Sequence, residues 1–226
     1  MKSTTGFGFA LVSTPFLLLM WEARLVVSII VPLATLIDGM IVLQNRRNLE
    51  WGRVMPMVAA GAVGVPLGNV ILLVVAEQAL KLAIASVVLA FGVMLLVGYT
   101  VTIRRERVAG GIAGFLSGAS LTSTSLSGPP VTLFMINQRW ERDTFRTSQG
   151  LFHLMLDVLG TASLAVTQVV TGKTLLVDLA LLPPVLAGYG LALLVLPHIR
   201  QEQFRRITTL VVIVAAVLAI GSEVAR

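Results

Sequence analysis

Ser120-Leu-Thr-Ser-Thr-Ser-Leu-Ser-Gly-Pro-Pro130 lies inside an otherwise apolar stretch, 109–137, and its reading decides the fold. Pro129 and Pro130 have no backbone N–H to donate, and Gly128 tolerates dihedrals that other residues avoid, so a helix running through this stretch must break there. If the surroundings are lipid, unpaired backbone at that depth is tolerable only against protein or a watery cavity. With Pro129 starting a second half-helix, the first amides of that half-helix have no partner within it and carry the positive end of its dipole. Such a terminus receives anions. The hydroxyls of Thr122, Ser123, Thr124, Ser125 and Ser127 crowd the same break and can donate to oxyanion oxygens without burying a formal charge. Thr124, Ser125, Ser127, Gly128, Pro129, Pro130 and Val131 are therefore candidate substrate-binding residues, with the backbone of Pro130 to Leu133 expected to replace the anion's hydration. Gly110, Gly111, Gly114 and Gly118, just upstream, are spaced for close helix contact and are read as packing residues.

The rest of the chain supplies the lipid. Of 226 residues, 56% are hydrophobic and 12% charged, and the mean hydropathy is +0.92, whereas soluble domains are nearer a quarter charged. Apolar segments recur at 5–20, 23–43, 54–76, 82–103, 109–137, 144–168, 175–198 and 204–224, most of them long enough to span as helices. This makes the chain an all-α, polytopic membrane protein. The net charge of +6 falls in short clusters between apolar segments, a topology signal and not a nucleic-acid footprint. The absence of cysteine excludes disulfide frameworks, thiolate nucleophiles and cysteine metal sites; no metal or cofactor is expected. Lys2 followed by the apolar run from Phe7 could open a signal peptide, but no small-x-small pattern precedes Trp21-Glu22, so the segment is expected to be retained.

Two segments are unusual: 109–137, with its break, and the short 5–20, which carries Ser13-Thr14-Pro15. A shift of 124 residues lays Gly64-Val-Pro-Leu-Gly68 over Gly188-Tyr-Gly-Leu-Ala192 and Leu80-Lys81 over Phe204-Arg205. Residues 1–105 and 106–226 then form two repeats, each a broken segment followed by three helices. Charge decides how they are related. Eight single crossings would leave nine basic residues on one side and eight on the other. If 5–20 and 109–137 are instead hairpins of two half-helices, the split becomes twelve against five. Lys2, Arg24, Lys81, Lys173 and Arg226 are the five; they and both termini lie outside, and the halves are inverted. The expected location is a bacterial-type inner membrane.

A second constellation lies on the sixth segment, where Gln149, His153 and Asp157 recur every four residues and share one helical face. Ionisable groups inside a membrane are costly unless paired or hydrated. His153 and Asp157 can pair with each other, as a proton site or as a structural pair, and Asp38 on the second segment, one residue before Gly39, is read either as a further coupling candidate or as reaching an interface. Trp21, Trp51 and Trp140 sit at segment ends, where aromatic belts are expected.

Gly6-Phe-Gly-Phe-Ala10 with Pro15, Ser127-Gly-Pro-Pro-Val131, Phe145-Arg-Thr147 and the glycine-bearing helices before Leu80-Lys81 and Phe204-Arg205 resemble the TauE/SafE group of sulfite and organosulfur anion exporters. These features span nearly the whole chain. The resemblance implies a transporter of small sulfur-containing oxyanions, coupled to an ion gradient, with two re-entrant motifs meeting near the centre; that adds Ser13, Thr14 and Pro15 to the binding candidates. The expected partners are a small anionic substrate, the lipid bilayer, a coupling ion (H⁺ or Na⁺) and, as one open assembly, a second copy in a homodimer; nucleic acid is not expected. The competing readings are a channel or carrier for another small anion such as a carboxylate, and, more remotely, an intramembrane hydrolase with Ser117 as nucleophile and His153 as base.

Overall fold

The computed structural model describes residues 8–44, 49–97, 105–138, 140–195 and 201–224. Lys2, Gly6, Phe7, Arg46, Arg47, Arg104, Arg139, Arg200 and Arg226 lie outside them. The described chain is helical: α1 (Gly8–Leu18), α2 (Ala23–Gln44), α3 (Trp51–Val74), α4 (Glu77–Val97), α5 (Glu106–Thr124), α6 (Gly128–Asn137), α7 (Arg142–Val166), α8 (Gly172–Val195) and α9 (Gln201–Val224). Five of these contain stretches long and apolar enough to cross a bilayer: Ala23–Leu43, Trp51–Val74, Glu77–Met94, Thr144–Val166 and Gly172–Leu191. The protein is a multi-pass membrane protein.

The helices begin earlier than the apolar runs. α3, α4, α7, α8 and α9 each start two to five residues upstream of the expected segment. The extra turn carries residues such as Glu77, Arg142 and Lys173. Lipid requires apolar side chains, but a helix entering the headgroup region does not, so hydropathy finds the span and misses the helix start. Glu77, in the first turn of α4, accepts the backbone N–H of Ala23 at the start of α2. At the end of α3, Arg24 donates from Nε to Leu72 O (3.1 Å) and from Nη2 to Leu73 O (2.8 Å). A cation there satisfies carbonyls that the helix leaves open and complements its dipole. At the start of α3, Arg53 pairs with Glu106 of α5 and lies 4.2 Å from the Trp140 ring centroid.

The expected break in 109–137 is present, as α5 and α6. The expected hairpin of two half-helices in 5–20 is not seen among the described residues. α1 is one 11-residue helix with Pro15 inside it, about 16 Å long by its rise per residue and so about half a span. It turns at Leu19–Trp21 straight into α2. Pro15 does not break it, because a proline in so short a helix removes only one backbone bond, near its end.

α5 is held against α3 by backbone, not by side chains. A Cβ at Gly114 would run into Met57 O, one at Gly118 into Gly61 O, one at Gly64 into Phe115 O and one at Gly68 into Ala119 O. Small residues on both helices permit this approach, and in lipid, where apolar burial drives nothing, close packing is the main source of helix association. Thr122 Oγ1 donates across the seam to Val65 O at 2.7 Å. α3 is tied to α7 by Asn69, whose Nδ2 donates to Ser163 O (3.0 Å), Ser163 Oγ (2.9 Å) and Thr167 Oγ1 (3.1 Å). α2 packs on α7, and α4 on α9. α8 packs on α2 and exposes Leu175, Leu176, Leu179, Leu186 and Leu191, as a lipid-facing helix does.

The seam is directly testable. Gly118→Ala should cost about 1–3 kcal/mol or more through overpacking against the α3 backbone. Gly111→Ala, where nothing lies within 4 Å of the added carbon, should be neutral or stabilise by up to about 1 kcal/mol. Thermal unfolding of the two variants in detergent, followed by size-exclusion elution, checks the contrast.

Candidate functional site

α5 ends because Ser125 takes the left-handed conformation, φ 61° and ψ 13°, with its N–H closing the last turn on Leu121 O at 2.9 Å. A non-glycine residue held there costs on the order of 1–3 kcal/mol unless its surroundings fix it. They do. Ser125 Oγ donates to Thr124 O at 2.6 Å and lies 2.8 Å from Thr14 Oγ1. Since its single hydrogen goes to the carbonyl, Thr14 is the donor in the second bond. α1 is thereby pinned to the break by a buried hydroxyl pair.

Three residues later α6 begins, with Ser127 as its N-cap and prolines at its first positions. Four amides at a helix start have no intrahelical acceptor. Here two of the four positions are Pro129 and Pro130, which have no N–H, so the free donors are the amides of Ser127 and Gly128. This moves the expected backbone donors upstream from Pro130–Leu133: Pro130 can donate nothing, and Val131 onward bond within the helix. Ser127 does not cap the helix with its side chain. Its Oγ instead sits 2.9 Å from His153 Nδ1 on α7.

His153 is 1% exposed and held on both sides. Gln149 Nε2 donates to Thr132 Oγ1 at 2.7 Å and lies 3.4 Å from His153 Nε2. With the amide in that orientation Nε2 is the acceptor, so Nδ1–H donates to Ser127 Oγ. The Ser127 hydroxyl hydrogen is then left to point elsewhere. The Phe152 ring closes against the imidazole in an edge-on contact at 5.6 Å.

The expected His153–Asp157 pair does not form. Asp157 instead shares the wall of a small cavity with Asp38 of α2. His153 is one turn from Asp157 on α7, but its ring is drawn toward the break by Ser127, while the α2–α7 packing lays Asp38 against Asp157. The two carboxyls are 3% and 1% exposed, and each keeps one oxygen, Oδ1, without a hydrogen-bond partner. Asp38 is therefore a central residue, not one reaching an interface.

A cavity joins these groups. Ala10 of α1, Ala34 and Asp38 of α2, Asp157 of α7 and the run Ser125–Pro129 line it. Its volume is about 20 Å³, room for roughly one water molecule. An oxyanion of sulfur is larger than that.

The other binding candidates are distributed unevenly. Ser125, Ser127, Gly128 and Pro129 line the cavity. Thr14 reaches it through Ser125, whereas Thr124 spends its hydroxyl on Ser120 O at 2.7 Å, within its own helix. Pro15 and Val131 are buried in the packing, Ser13 and Pro130 partly so; none of the four is a cavity wall. Gln149 acts at one remove, through His153. Ala10, Ala34 and Thr132 were not expected. Alanines carry no chemical signal in a sequence, and Thr132 is marked only by facing Gln149 on another helix.

Ser117, the alternative nucleophile, is buried with its Oγ unpartnered, and His153 is engaged elsewhere. The two do not form a nucleophile–base pair, which the hydrolase reading requires.

Comparison with known proteins gives one finding. A family model described as Sulfite exporter TauE/SafE matches residues 1–219. No curated protein and no solved structure matches the chain.

The Thr14–Ser125 bond is the simplest element to test. Thr14→Val should destabilise the protein by about 1 kcal/mol, the usual net worth of a buried hydrogen bond, and Thr14→Ser should restore most of it. Thermal unfolding of both variants in the same detergent measures the difference.

Proposed function

The chain belongs to the sulfite exporter TauE/SafE family, whose members are transporters and not enzymes, and from that premise we propose that it exports sulfite or an organosulfonate by alternating access at the Ser125–Pro129 break. The observation that carries this reading is the uncapped start of α6. The amides of Ser127 and Gly128 lack helix acceptors, sit at the positive end of the α6 dipole and adjoin a cavity. His153 supports it by occupying a lone pair of Ser127, which frees that hydroxyl to donate to the anion. Two amides and a hydroxyl suit an oxyanion, which offers several acceptors and needs donors from several directions.

Transport requires the site to open alternately to the two sides. The helix pairings support two related halves: α2 meets α7 and α4 meets α9, which are the pairs that a two-fold relation between repeats 1–105 and 106–226 would match to each other. Arg24 and Arg53 bind at opposite ends of α3, in keeping with the orientation that puts Arg24 outside and Arg53 in the cytoplasm. The membrane is then a bacterial-type inner membrane. A proton is the expected coupling ion, with Asp38, Asp157, His153 and Gln149 around its path.

Ser127→Ala removes the hydroxyl donor, and Gly128→Leu fills the space beside the free amides. Each should abolish saturable sulfite flux into proteoliposomes while the protein still expresses and elutes as the parent does. Normal flux in both variants would sink this site.

A further inference from the structure

Asp38 and Asp157 put negative charge in the wall of a cavity that the preceding reading assigns to an anion. Both are buried in the membrane-spanning part of the molecule, both line the same small cavity, and each keeps one oxygen unpartnered. Two carboxyls confined together away from water hold a proton between them, because two negative charges there repel each other and lack hydration. With one shared proton the pair carries a single negative charge; with none it carries two; with a second proton it is neutral. Across a cavity of about 20 Å³, an anion on the Ser127 and Gly128 amides is in close range of whichever charge the pair holds.

Resting on the anion-site reading, we propose that Asp38 and Asp157 are a proton-loading pair that admits the anion only as it takes up a proton, so that proton and anion cross together, with export driven by the outward gradient of the anion itself. The chemistry balances without a further reactant. One proton from solvent binds a carboxylate oxygen of the pair as the anion binds, and both leave on the other side. Because binding of each favours the other, the coupling is reciprocal.

Other ionisable groups do not take this role. On α7, His153 is fixed between Ser127 and Gln149. The described part of α1 and the whole of α6 carry no ionisable residue. α8, packed on α2, brings Lys173 and Asp178; α4 brings Glu77 and Lys81; α3 and α5 bring Arg53, Glu106 and Arg107. None of these lines the cavity. The described lining offers Na⁺ few oxygen ligands besides the two carboxyls, whereas a proton needs only one of them.

Methanesulfonate is the appropriate probe, because it is the anion of a strong acid and neither buffers nor crosses membranes as a neutral acid. It is titrated into the purified full-length protein in weakly buffered, Na⁺-free solution containing a pH-indicating dye. The expected result is uptake of about one proton per anion bound, with Kd weakening about ten-fold per pH unit where the pair loses its proton. In proteoliposomes clamped at zero potential with K⁺ and valinomycin, an inward methanesulfonate gradient should acidify the lumen. The double variant Asp38→Asn/Asp157→Asn, which keeps the size of both side chains, should bind the anion with pH-independent affinity, take up no proton and acidify nothing. Binding without proton uptake by the wild type overturns the proposal whether or not the variant folds. So does undiminished uptake in the double variant, or binding that requires Na⁺. If the wild type binds neither methanesulfonate nor sulfite, the anion site itself is wrong and the pairing of proton with anion falls with it.

Discussion

Every peptide group at membrane depth must find a hydrogen-bond partner within the protein, and the interruption between Thr124 and Gly128 is where this constraint bears hardest. A continuous helix would satisfy it automatically. Pro129 and Pro130 prevent that, so the structure surrounds the break with partners: Thr14 from α1, His153 from α7 and the seam of α3 beneath α5. The amides of Ser127 and Gly128 are what this arrangement leaves over. In a soluble protein, water would take them. Here they adjoin a cavity bounded by four elements of the chain, so the folding constraint and the proposed anion site are the same feature.

The glycine seam has a place in this logic. A half-length helix such as α6 gains little from its own propensity, and α5 must hold the strained Ser125 in position for it. Backbone-to-backbone packing of Gly114 and Gly118 on Met57 and Gly61 leaves α5 little freedom to slide or rotate against α3. The hydroxyl of Thr122 and the side chain of Asn69 add directional bonds to the same group of helices. α3, α5 and α7 thus form a frame, whereas α1 meets the break through the Thr14 hydroxyl.

Much of this is legible in the chain. The break is written in Ser127-Gly-Pro-Pro130, the membrane in composition, and the role of Gly114 and Gly118 in their spacing. The partners of His153 and Asp157 are not. An i, i+4 pattern says that two side chains share a helix face, but not what faces them, and here the turn before α6 brings Ser127 to one and α2 brings Asp38 into the same cavity wall as the other. The donors of α6 were misplaced for a different reason. Proline marks a helix start well, but by lacking an N–H it also removes the donors at its own positions and leaves those just before it. Thr124 shows a third limit, since whether a hydroxyl faces a cavity or its own helix depends on a rotamer that sequence does not specify.

The proposed repeat is unequal, and the inequality has a physical consequence. α6, followed by the long α7, occupies the place in its half that α1, followed by α2, occupies in the other. No described element of the first half stands where α5 does in the second. The sequence match that relates Gly64 and Gly68 to Gly188 and Ala192 therefore joins two different environments. Gly64 and Gly68 lie against the α5 backbone, while nothing among the described residues comes within 4 Å of a Cβ built at Gly188 or Gly190. The same small-residue pattern thus anchors α3 inside the frame and leaves α8 on the outside with its weaker hold on α2. The frame of α3, α5 and α7 draws on both halves, so any opening of the proposed site would carry it as one body. α8, whose packing is chiefly on α2, is the element left to accommodate the displacement.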